Sequence, residues 1–150
     1  MDKKDKVFLA HLRENARKSL TDISKQTKIP ISTLYDRLKN LRKNIINKHT
    51  TLIDFTMMGY LCKANIIIKV DIEDRESAKE YLLYKEEVNS LFKINNGYDF
   101  LIEGIFRHVK EMEDFMDLFE RKFKILAINV YYVIEDIKRE TFIANLESVI

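Results

Sequence analysis

The chain has 150 residues, with 26 Lys+Arg against 24 Asp+Glu and 46% apolar residues, the composition of an ordinary globular protein. A chain of this length buries roughly two-thirds of its unfolded surface, so one domain or two small ones can hold a core without disulfides. The single cysteine, Cys62, cannot form an internal bridge, and His11, His49 and His108 are too scattered for a zinc site.

No apolar run approaches the roughly 18 residues of a membrane span, and the opening Met1-Asp2-Lys3-Lys4-Asp5-Lys6 is not a signal core. A cytoplasmic protein with no membrane association, metal or cofactor is expected. The near-neutral total conceals an asymmetry. Residues 1–50 hold 13 Lys+Arg and 5 Asp+Glu, a net of +8, while residues 51–150 hold 13 and 19, a net of −6. A compact basic segment joined to an acidic one suggests that the first part meets a polyanion, the alternative being a solvated basic surface.

From Asp2 to Glu14, Phe8, Leu9 and Leu12 fall at helical spacing, predicting a first helix. Residues 20–27 predict a short second one, with Thr21 as its cap and Leu20 and Ile23 inward. Lys28-Ile29-Pro30 breaks it, and Pro30 opens a third segment, Ile31 to Lys43, with Leu34, Leu38 and Leu41 on one stripe. Ser32, Asp36, Lys39, Asn40 and Lys43 project from the opposite side. Two short helices joined by a tight turn, the second with an outward polar face, form a helix-turn-helix, which lays its second helix in the major groove of double-stranded DNA.

On that face Ser32, Thr33 and Lys39 are candidates for base edges, and Asp36 repels phosphate but accepts from a cytosine amine. Tyr35 either touches the nucleic acid from the flank or covers the edge of the core. Arg37 projects only about 60° from the leucine stripe, so it braces the domain or, less naturally, reaches DNA. Lys18, Lys28, Arg42 and Lys48 suit phosphate anchoring.

Residues 49–57 are rich in β-branched side chains and predict a connecting strand ending before Gly59, the expected hinge. Leu61 to Ile72 alternates, with Ala64, Ile66, Ile68, Val70 and Ile72 on one face. Asp74 is placed to cap a helix through about Lys85, with Ala78, Tyr81 and Leu82 inward. A short strand Leu91 to Ile94 comes next, then the turn Asn95-Asn96-Gly97 and a strand from Phe100 to Arg107. A helix with Val109, Met112, Phe115, Met116 and Phe119 inward leads to a last strand, Ile125 to Glu135. The order β-α-β-β-α-β is that of the ferredoxin-like fold. The chain therefore divides into a helix-turn-helix unit at 1–48, a connection at 49–60, a ferredoxin-like domain at 61–139 and a tail at 140–150, whose apolar residues from Phe142 fall at helical spacing.

The sheet face without helices should carry Asn65, Ile67, Lys69, Leu91, Lys93, Leu101, Glu103, Ile105, Ala127, Asn129, Tyr131 and Val133, a mixture too apolar for water alone. A second copy is the simplest cover, because two-fold symmetry brings two helix-turn-helix units to half-sites about one helical turn apart.

Asp2, Asp5, Phe8-Leu9, Leu12 and Asn15-Ala16-Arg17, together with Ile29-Pro30-Ile31-Ser32-Thr33-Leu34-Tyr35-Asp36-Arg37-Leu38-Lys39-Asn40-Leu41, resemble the opening and recognition-helix patterns of the Lrp/AsnC transcription regulators. The resemblance covers nearly the whole chain and implies an α+β protein, a winged helix-turn-helix joined to a ferredoxin-like domain. It also implies a homodimer, often assembled into octamers, and an amino-acid effector. In that family a Thr-Gly-x-Tyr-Asp loop helps form the effector pocket. Here it reads Asn95-Asn96-Gly97-Tyr98-Asp99, with asparagine at the usual glycine position; the alternative for this run is a plain hairpin turn. The glycine usual after the recognition helix is also missing from Lys43-Asn44-Ile45-Ile46. The expectation is a sequence-specific regulator rather than an enzyme. The rival classes are a sirohaem-decarboxylase-like enzyme, for which no catalytic constellation is visible, and a DNA architectural protein with little base discrimination.

Overall fold

A computed structural model describes residues 1–145, which divide into two compact units, one formed by residues 1–52 with the segment from 137 onward, the other by residues 53–136. In the first unit three helices, α1 (Lys3–Glu14), α2 (Leu20–Thr27) and α3 (Ile31–Asn44), enclose Phe8, Leu9, Leu12, Ile23, Ile29, Leu34 and Leu41. Helix α1 starts at a capping box: Asp2 accepts from the Asp5 backbone N–H at 2.8 Å and Asp5 accepts from that of Asp2 at 3.3 Å. The cap of α2 is Ser19, not the expected Thr21. The Ser19 hydroxyl accepts from Asp22 N–H at 3.0 Å, and Thr21 lies inside the first turn. One residue of phase decides this, because a capping oxygen must sit outside the helix to reach the free N–H groups.

The segment after α3 differs from expectation. Residues 46–55 hold no strand among the described residues, and the chain then enters a short 3₁₀ turn, Thr56–Met58, ended by Gly59 at φ +88°. β-branched content favours a pleated backbone only where a neighbouring strand supplies hydrogen bonds. Here Asp54 instead accepts from the backbone N–H and hydroxyl of Thr56 and turns the chain. No wing strand forms among the described residues of this unit. The tail also departs from a helix: 142–144 form a turn, with Arg13 donating to the Glu140 carbonyl at 3.0 Å, and the remainder of the expected helical stretch, 146–150, lies outside the described residues.

The second unit is β1 (Cys62–Val70), α4 (Arg75–Leu83), β2 (Val88–Lys93), β3 (Phe100–Phe106), α5 (Val109–Lys122) and β4 (Ile125–Tyr132), an antiparallel sheet in the order β2-β3-β1-β4. This is the expected ferredoxin-like arrangement. Ala64, Ile66, Ile68 and Val70 of β1 face the helices and pack with Ala78, Leu82, Met112, Phe115, Met116 and Phe119. Two residues expected in this core lie outside it. Ile72 is exposed because β1 ends at Val70, and Val109 is half exposed as the first residue of α5, on the turn that precedes the packed stripe. Asp74 stands at the N-cap of α4, but its carboxylate accepts from Lys124 N–H at 2.7 Å rather than capping the helix.

The pairing also corrects the open face. Ser90 lies opposite Glu103 and Phe92 opposite Leu101, so Ser90 and Phe92 stand on the side away from the helices, while Leu91 and Lys93 point to the helix side. The cause is an irregularity between Val88 and Ser90. An inserted residue reverses every side chain beyond it, and apolar residues at 91, 92 and 94 give no alternation from which the phase can be read. The face without helices therefore carries Asn65, Ile67, Leu101, Glu103, Asn129 and Tyr131 as expected, with Phe92 added.

Candidate nucleic-acid interface and the β2–β3 loop

The α2–α3 turn is fixed by its own side chains. Lys28 adopts the left-handed conformation at φ 60°, its N–H donating to Ser24 O at 2.8 Å. The Ser24 hydroxyl donates to Ile29 O at 2.6 Å, and the Thr27 hydroxyl donates to Ile23 O at 2.8 Å. With Ile29 buried and Pro30 at the N-cap of α3, the angle between the two helices is set by packing and hydrogen bonds together.

Leu34 and Leu41 are buried and Leu38 is half-buried, so the opposite face of α3 is presented to solvent. On it Ser32, Tyr35, Asp36, Lys39, Asn40 and Lys43 are exposed, with Thr33 half-buried at its edge; Tyr35 is 62% exposed and does not cover the core. Asn40 is partly occupied, because the Asn44 amide donates to its side-chain oxygen at 2.6 Å. Lys28, Arg42 and Lys48 are exposed at the margins.

Two candidate residues are committed to other partners. Arg37 turns away from the solvent face and pairs with both carboxylates of the α1 capping box, at 2.9 Å from Asp2 and closer still to Asp5. The hydrogen bond from Arg37, reinforced by the Asp5 N–H, holds the Asp2 carboxyl below its ordinary range, and the Asp2 and Asp5 carboxylates raise the guanidinium. Arg37 thus ties the start of α1 to the middle of α3. Lys18 is half-buried, with its ammonium 3.0 Å from His11 Nδ1 and 3.5 Å from Glu14. An ammonium only donates, so His11 is neutral with its proton on Nε2. His11 is 3% exposed; burial first and Lys18 second push its pKa down. Helical spacing alone indicates a bracing geometry for Arg37 but assigns no role to His11, whose position on α1 matches the core stripe.

In the second unit Asn96 (φ 62°) and Gly97 (φ 83°) occupy the central positions of a tight hairpin turn closed by Tyr98 N–H to Asn95 O at 3.4 Å. Asparagine tolerates this backbone region better than other non-glycine residues, so the loop keeps its course without the expected glycine. Tyr98 folds over the open face, its hydroxyl accepting from the Asn129 amide at 2.6 Å. Asp99 is nearly buried: one carboxylate oxygen accepts from Val70 N–H at 2.8 Å and the other lies 2.8 Å from Arg75 Nε. Of the five loop candidates, Asn95, Asn96 and Gly97 form the exposed turn, Tyr98 reaches the open face, and Asp99 is built into the end of the sheet between β1 and β2. Arg75 carried no signal in the sequence, because its partner lies 24 residues away across the sheet.

A family model describing the AsnC-type helix-turn-helix domain matches residues 1–42. A curated HTH-type transcriptional regulator of Pyrococcus furiosus is 30% identical over 117 residues, 77% of this chain and 79% of its own length. The HTH-type transcriptional regulator FL11 of Pyrococcus horikoshii is 28% identical over 119 residues, covering 79% of each chain. Among solved structures, AsnC of E. coli superposes with a TM-score of 0.84 at 20% identity, covering 95% of this chain and 98% of its own. A Neisseria meningitidis transcriptional regulator in complex with L-Met gives 0.84 at 22% identity, covering 93% of each.

Proposed function

Because the chain belongs to the Lrp/AsnC family of transcriptional regulators, we propose that it binds double-stranded DNA sequence-specifically as a homodimer, placing α3 of each subunit in the major groove of one half-site. The observation that carries this reading is the exposed face of α3, where Ser32, Asp36, Lys39 and Lys43 stand opposite a buried leucine stripe. Asp36 is the informative member, since a carboxylate on a basic face costs affinity for phosphate and gains only by accepting from a base. Thr33, Tyr35 and Asn40 flank it. Lys28, Arg42, Lys43 and Lys48 supply phosphate contacts. Lys18 and Arg37 support the reader from behind: one is engaged with His11 and Glu14, the other with Asp2 and Asp5.

The second copy meets the first through the open sheet face. Phe92 and Tyr131 are both more than half exposed there, beside Ile67 and Leu101, which is more aromatic and aliphatic surface than a sheet normally leaves to water. Lys63 and Glu103 on that face are already paired within the chain, Lys63 with Asp136 at 2.8 Å and with Glu103 at 3.6 Å, and Asn89 donates to Glu103, while Lys69 is exposed toward the end of β1. Covering Lys63 and Glu103 therefore buries no lone charge. An amino-acid effector beside Asn95–Asp99 is supported by the L-Met complex of the Neisseria structure. The role is regulatory and not enzymatic, as the curated relatives' names as transcriptional regulators suggest.

The test is a salt series of affinities for a palindromic fragment from the protein's own promoter against random duplex. Specific binding at least about 10³-fold tighter is expected; a ratio near one at every salt concentration would reduce the protein to an architectural DNA binder.

A further inference from the structure

On the helix side of the sheet, away from the face that Tyr98 folds over, a cleft of about 190 Å³ opens between α4 and strands β2 and β3. Its apolar walls include Leu91 and Phe100, and its polar lining is dominated by three cations: Arg75 and Lys79 on α4 and Lys93 at the end of β2. The two carboxylates beside them are already spent. Asp99 is fixed by the Val70 N–H and by Arg75, and Glu76 accepts from Lys79 at 2.6 Å. Each carboxylate is thus paired with a cation of the cleft, which leaves the lining one positive charge in excess.

Arg75 is the centre of the cleft. Its Nε lies 2.8 Å from Asp99, off the line of a hydrogen bond, and among the described residues its two terminal nitrogens donate no hydrogen bond. A guanidinium pinned through Nε presents those terminal N–H groups as a preoriented fork, the geometry that carboxylate and phosphate accept bidentately. Lys93 likewise has no hydrogen-bond or ion-pair partner among the described residues, although it shares the cleft with four charged neighbours.

We propose that this cleft is a binding site for a small organic anion, a carboxylate or phosphate on a short body, held by the Arg75 fork and by Lys93 with its apolar part against Leu91 and Phe100. The small volume of the cleft suits a headgroup on a short body. The cleft shares Asp99 with the Asn95–Asp99 loop but lies across the sheet from the Tyr98–Asn129 contact, and it does not rest on DNA binding.

The test uses the full chain and three probes, inorganic phosphate, succinate and the uncharged isostere succinamide, titrated calorimetrically at constant ionic strength. Saturable binding of phosphate or succinate is expected, with none of succinamide; whichever anion binds tighter identifies the headgroup. Lys93→Met keeps most of the side-chain bulk at an exposed position and should weaken that binding about 5- to 10-fold, with Lys93→Arg restoring it and the thermal midpoint of both variants unchanged. Arg75→Lys should weaken it further. Three results would overturn the proposal: no saturation by either anion at millimolar concentration, equal binding of succinamide, or undiminished binding in Lys93→Met. Retained DNA affinity in that case would show that only the anion site had failed.

Discussion

Replacing Leu34 with alanine probes the link between the core of the first unit and its reading face. Leu34 is fully buried on α3 and belongs to a core of only seven buried apolar side chains. The substitution removes three carbon groups, about 2.4 kcal/mol at roughly 0.8 kcal/mol each. The cavity left behind raises the loss to about 3–4 kcal/mol, inside the range for buried leucines. A unit of about 50 residues has only roughly 2.5–7.5 kcal/mol to lose. Leu34→Ala should therefore bring residues 1–52 close to their unfolding midpoint while the second unit, with its separate core around Ile66, Phe106 and Phe119, stays folded. Amide exchange coupled to mass spectrometry resolves the two. Protection should collapse across α1–α3 and persist in β1–β4, with DNA binding lost and self-association retained. Equal loss of protection in both units, or intact protection in α1–α3, would refute the assignment of two independent cores.

Individual residues carry further expected outcomes. Asp36→Ala should relax base preference at one position of the half-site, whereas Lys28→Ala should weaken binding to all sequences alike and lower the salt slope by about 1; quantitative anisotropy across a mutated operator set separates these effects. Arg37→Gln should reduce DNA affinity without changing that slope, since the residue positions α3 and touches no phosphate, and Asp5→Asn should reproduce the loss. Because burial lowers the His11 pKa, the unfolded chain binds a proton that the folded one refuses. Stability of the first unit should fall as pH drops below about 6.5 and level off beneath the folded pKa. Chemical denaturation at stepped pH should show a flatter profile in His11→Asn, which keeps an acceptor for Lys18.

The parts of this structure that local rules govern were readable from the chain. Helix periodicity placed α1, α2 and α3 within a residue or two and gave the packed stripe of α5 apart from Val109, and the proline and the Asn-Asn-Gly run marked the two turns that matter. The alternation of β1 gave its faces correctly because every second residue from Ala64 to Val70 is apolar. What failed depends on partners distant in sequence. Residues 49–57 have the composition of a strand but no neighbour to pair with among the described residues, and β2 changes phase at an irregularity that leaves no mark in six residues of mixed character. For the candidate site, the outward face of α3 was legible from the leucine spacing. The capture of Lys18 by His11 and the pinning of Arg75 by Asp99 were not, since each joins residues that only the tertiary structure brings together. Arg37 lies between these cases: its angle from the stripe indicated a brace, while its partners emerged only with the α1 cap in place.

The most direct examination of paired reading is the mass of the protein–DNA complex at equilibrium, measured by sedimentation with a duplex carrying two half-sites one helical turn apart and with one whose half-sites are shifted by half a turn. Two chains per duplex are expected on the first, with a sharp loss of affinity on the second. One chain bound per duplex with equal affinity for both spacings would contradict it.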